Sequence, residues 1–100
     1  MIISLVEIYE DTKVHSNDKN RSYGLREVYI NPEQVVCLRE DPHFKGLLLE
    51  RRLPEGLDDN QSFTRIYMNR GQAGLDVVVV GSPTQVQKQI FKNTKNLLRD

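Results

Sequence analysis

Four consecutive valines, Val77 to Val80, sit between Leu75-Asp76 and Gly81, and they constrain the fold more than any other stretch of this 100-residue chain. β-Branched side chains are stiff and favour extended backbone, and successive side chains of a strand point to opposite faces. A strand that is apolar at every position therefore has no face to offer to water. LDVVVV reads as a central strand, one face on the core and the other under a helix or a partner subunit. Val78 and Val80 are the candidates for that second, outward role.

The flanking segments give this strand its neighbours. Upstream, FTRIYMN (63–69) alternates Phe63, Arg65 and Tyr67 against Thr64, Ile66 and Met68, and the following RGQAG carries two glycines that take positive φ at little cost. Downstream, Ser82 is a natural N-cap, Pro83 fits the first helical position, and Gln85 closes an S-x-x-Q capping box. At 100° per residue Val86, Ile90 and Leu97 share one arc, edged by Phe91, Thr94 and Leu98. Lys88, Lys92, Lys95 and Arg99 fall together on the opposite side, toward the negative end of the helix dipole.

The rest of the chain reads as further strands. Ile2 to Tyr9 is an apolar-rich run of strand length, and Glu10 to Gly24 is a polar loop. Leu25 to Ile30 has the period of two that marks a half-buried strand, and Asn31-Pro32 ends it. Val35 to Arg39 resumes as a strand that Asp41-Pro42 stops. Phe44 to Leu53 fits a strand or a short helix; its short length and its place between two proline turns favour a strand, paired with Phe63–Asn69 across the acidic connection Pro54–Ser62. No helical segment lies between strands to make parallel crossovers. The sequence thus predicts a mostly β domain over residues 1–100, a small antiparallel barrel or curved sheet of five or six strands in meander order, capped by a helix over 83–98.

Composition narrows the function classes. Fourteen basic residues balance fourteen acidic ones, which removes the simple electrostatic case for a dedicated nucleic-acid binder. Cys37 is the single cysteine and excludes an internal disulfide scaffold. No apolar run approaches the roughly 18 residues of a membrane span, and the N-terminus lacks a basic n-region, so the expectation is a cytoplasmic protein without leader or anchor.

The order VYINPEQVVCLRE, TRIYMNRG, LDVVVVGSPTQVQKQI resembles the FlbD-like small flagellar proteins over residues 25–91. That resemblance implies a small β module with a Ser-capped C-terminal helix; the stretch before Tyr23 and the stretch from Asp41 to Gln61 lie outside it. Tyr67-Met68-Asn69-Arg70-Gly71 before a valine strand is similar to the Arg-Gly turn of Sm-like RNA-binding barrels, without their N-terminal helix or first motif.

Residues that carry chemistry are few. His43 with Glu40 and Asp41 supplies metal-ligand types, but no second pair has ligand spacing, and a polar turn explains REDPH equally well. Glu55, Asp58 and Asp59 lack the spacing of a calcium loop. Gly71 to Gly74 lacks the Lys-Ser/Thr ending of a phosphate loop. Cys37 has apolar neighbours rather than an activating base, and Ser82 is explained by capping.

No enzyme, cofactor or small-molecule substrate is therefore expected. The first reading is a non-enzymatic interaction module, of a kind suited to a phage or accessory bacterial product. It would bind itself or another protein through the valine strand, at Val78 and Val80, or through an open sheet edge. The alternative is a nucleic-acid-binding adaptor that uses Lys88, Lys92, Lys95 and Arg99 with Arg65, Arg70 and the stacking face of Tyr67.

Overall fold

A computed structural model describes residues 2–11, 22–69 and 75–98, with side chains in the last segment from 76 to 91. Five strands, β1 (Ile3–Asp11), β2 (Ser22–Ile30), β3 (Val35–Glu40), β4 (Phe63–Met68) and β5 (Leu75–Val80), form one antiparallel sheet in the order β2-β1-β5-β4-β3. Two helices complete it, α1 (Pro42–Leu49) and α2 (Pro83–Leu98). The fold is mostly β, as the sequence predicts, and β5 is the central strand. The simple meander is corrected: β1–β2 and β3–β4–β5 are two meanders joined through β1 and β5, which pair at Glu7–Val79 and Ile8–Val78.

The barrel is also corrected to an open, coiled sheet. β2 and β3 are the two edges, yet only Asn31 and the single 3₁₀ turn Pro32–Gln34 separate them in sequence. In a flat sheet the pairing registers would hold Ile30 and Val35 about 20 Å apart across the strands and roughly 25 Å apart along them. Five peptide steps span at most about 18 Å. The sheet must therefore coil over itself, and Ile3, Leu5 and Ile30 indeed pack with Ile66, Met68, Val77 and Val79. Val86 and Ile90 of α2 complete this core, both fully buried.

The segment read as a strand over Phe44–Leu53 is instead α1 and its exit. Asp41 caps it, one carboxylate oxygen accepting from the Phe44 and His43 N–H groups, and Pro42 takes the first turn. Phe44, Leu47 and Leu48 then fall at i, i+3 and i+4 on the sheet side, where they join Ile8, Phe63, Val78 and Val80 in a second core. The helix ends in a Schellman motif: Arg51 N–H donates to Leu48 C=O and Arg52 N–H to Leu47 C=O. Arg51 carries the left-handed φ of 58° that this motif usually gives to glycine.

At the other helix the capping box forms as read. Ser82 N–H donates to Gln85 Oε1 at 3.0 Å, and Gln85 N–H donates to Ser82 Oγ at 3.2 Å. Gly81, at φ 126°, turns the chain from β5 into α2, and its carbonyl accepts from the buried Thr64 hydroxyl.

Two outcomes check this account. A strand would put Leu47 and Leu49 on the same face; the helix buries Leu47 and leaves Leu49 72 % exposed. Leu47→Ala should cost about 2–4 kcal/mol in denaturant unfolding and Leu49→Ala no more than about 0.5 kcal/mol. Arg51→Gly should raise stability by about 0.5–1 kcal/mol, read as a melting temperature several degrees higher, because it relieves left-handed strain at some cost in chain entropy.

Candidate interaction surfaces

Register assigns every strand residue to a face. On the α2 face lie Leu5, Glu7, Ile66, Met68, Val77 and Val79; on the α1 face lie Val6, Ile8, Arg65, Tyr67, Val78 and Val80. Val78 is only 6 % exposed beneath α1, and Val80 is half-buried at the margin of the same core. The outward role expected for Val78 is thereby corrected, because the α1-side core covers it, while Val80 stays half-buried at the margin of that core.

Of the residues considered for nucleic acid, the three with described side chains lie on two faces. Arg65 and Tyr67 stand on the α1 face of β4, whereas Lys88 is carried by the helix that packs on the other face. Arg70, Lys92, Lys95 and Arg99 fall outside the described side chains. Arg65 is held between two carboxylates, donating through Nε and Nη2 to Asp41 Oδ2 at 3.2 and 2.8 Å and through Nη1 to Asp76. Burial works to lower its pKa, but the hydrogen bonds to Asp76 and Asp41 outweigh this and hold it above its ordinary value. Tyr67 pairs across the sheet with Asp76 on one side and Cys37 on the other. Arg39, opposite Arg65 on β3 and exposed, belongs to this face too; its place in VVCLRE, two residues after Cys37, was the available signal.

Asp41 is nearly buried and does two jobs, capping α1 with one oxygen and holding Arg65 with the other. His43 and Glu40 join it in no cation site; among the described residues no cluster of three or more His, Cys, Asp or Glu could hold a metal ion. A shallow cleft of about 360 Å³ lies beside the exit of α1, with Leu48, Leu53, Pro54 and Leu57 as apolar walls and Arg51, Glu55 and Asp59 as charged ones.

The two sheet edges differ in kind. β3 is short, carries a bulge between Val35 and Cys37, and is entered directly from the proline turn, all features that discourage a further strand. β2 is nine residues long, pairs with β1 without a register shift, and contains neither proline nor lysine. No described strand lies beyond it.

Its charges are turned inward to its own hairpin. Arg26 Nε donates to Glu7 Oε1 at 2.8 Å with the guanidinium over the Tyr9 ring, and the Tyr29 hydroxyl donates to Glu27. Hydrogen bonds from Tyr29 and Ser4 hold the Glu27 carboxyl below its ordinary range. The Tyr9 ring also covers Gly24, the weakest β former in the strand. On the α1 face this hairpin exposes Val6, Leu25 and Tyr29, the last 64 % accessible, and Ile2 is exposed at its end.

No protein-family model, curated protein or solved structure matches the chain.

The double role of Asp41 predicts a graded response. Asp41→Ala should cost about 2 kcal/mol, from the lost cap plus a modest share for an ion pair whose arginine is one-third exposed and keeps Asp76. Asp41→Asn keeps the cap acceptor and should lose about 1 kcal/mol or less. Equal losses in denaturant unfolding would count against the dual assignment.

Proposed function

We propose that this chain is a non-enzymatic interaction module that accepts a β-strand from a protein partner along β2. The carrying observation is the contrast between a guarded β3 edge and a β2 edge that is long, regular and proline-free, with apolar Val6, Leu25 and Tyr29 exposed beside it. An unpaired edge presents a row of backbone donors and acceptors, and an added strand satisfies them while alternate side chains supply specificity. The exposed apolar side chains give such a strand something to pack on.

The nucleic-acid alternative has less behind it. Arg65, its central cation on the sheet, already has two carboxylates, and Lys88 faces away from Tyr67.

Sedimentation velocity across micromolar concentrations tests the reading. The wild-type chain, alone or mixed with a labelled peptide of residues 22–30, should form a complex, and the pair Leu25→Lys with Tyr29→Lys should abolish it while leaving the thermal melt nearly unchanged, because both side chains are exposed. Association that survives both lysines, or salt-sensitive oligonucleotide binding by an otherwise monomeric chain, would turn the assignment away from β2.

A further inference from the structure

We infer that the strand accepted by β2 is β2 of a second copy, paired antiparallel about a twofold axis that passes through Leu25. The inference rests on the reading of β2 as a strand-accepting edge and goes further by naming the occupant and its register.

Closed twofold symmetry requires the two strands to run antiparallel, with the axis perpendicular to the sheet. Directly opposed residues then point to the same face, so the strand is centred on a residue. Centring on Arg26 sets Arg26 against its own copy, without the second carboxylate that offsets Arg65 opposite Arg39, and centring on Glu27 sets two carboxylates together; like charges directly opposite are destabilising. Centring on Val28 or beyond leaves much of β2 without a partner, since the strand ends at Ile30. Centring on Gly24 puts together the two residues least suited to a ladder.

The axis through Leu25 avoids all of these. It pairs Ser22 to Val28 of one copy with Val28 to Ser22 of the other. Leu25 meets Leu25 on the α1 face, where it is exposed beside Ile8 of the second core. Tyr23 stands opposite Glu27, which gives that carboxylate a phenol from the other copy. Gly24 stands opposite Arg26 and leaves room for the guanidinium and the Tyr9 ring beneath it. With a net charge of zero, two copies meet without long-range repulsion.

Disulfide trapping reads the register directly. In a Cys37→Ser background, Leu25→Cys places two thiols on Cα atoms about 4.5–5.5 Å apart, within reach of a disulfide. The same register holds Glu27→Cys pairs roughly 14 Å apart. Under mild oxidation Leu25→Cys should pass to a covalent dimer while Glu27→Cys stays monomeric. A mixture of Tyr23→Cys and Glu27→Cys chains should form the mixed dimer, which reads the same register should Leu25→Cys fold poorly.

Cross-linking through Glu27→Cys alone, or none through Leu25→Cys or the mixture, overturns the register. A chain that stays monomeric overturns the second copy as partner. In that case binding of a labelled peptide of residues 22–30 would leave the strand-accepting edge standing, and absence of binding would remove it as well.

Discussion

The structure depends on the apolar character of β5 on both sides. A strand that cannot show either face to water needs two covers, and the chain supplies them from its two helices: Val77 and Val79 meet Val86 and Ile90 of α2, and Val78 meets Phe44 and Leu47 of α1. Strand order follows from the same demand. Only an interior position gives β5 backbone partners on both edges, and these are β1 and β4. Burying these valines contributes on the order of 1.5–3 kcal/mol each, which is enough to decide which strand sits in the middle.

That demand is legible in the sequence, and so is the α2 cap. What went astray was the identity of the second cover. The sequence holds the same signal twice: Ser82-Pro83 opens α2 and Asp41-Pro42 opens α1, and a third polar-proline pair, Asn31-Pro32, opens the 3₁₀ turn. Proline taken as a helix start at one site and only as a strand stop at the others makes Phe44–Leu53 a strand. With Phe44–Leu53 as a strand, the α1-side valines find no cover in that segment, and a partner subunit stands beside a helix as the candidate cover. Phe44, Leu47 and Leu48 carried the helical spacing, but Gly46 and the short length masked it.

The surfaces were less legible, because facing depends on register between strands far apart in sequence. Arg65 and Tyr67 share a face by simple alternation, yet nothing local tells that Lys88 lies across the sheet from them or that Asp41 and Asp76 converge on Arg65. Edge status is likewise a property of the whole sheet. Leu25 to Ile30 reads as an ordinary half-buried strand until the order β2-β1-β5-β4-β3 leaves it with one neighbour.

The short ladder between β1 and β5 bears on how the molecule comes into being. Glu7–Val79 and Ile8–Val78 join the first described strand to the last, so the seam that unites the two meanders is the strand pairing most distant in sequence among the described residues. Loop closure over that length precedes its reward, which places folding on the slow side for a domain of this size. On the ribosome, the β1–β2 hairpin emerges with its inner edge unsatisfied until β5 has been made. Synthesis order, more than local propensity, sets when this sheet becomes whole.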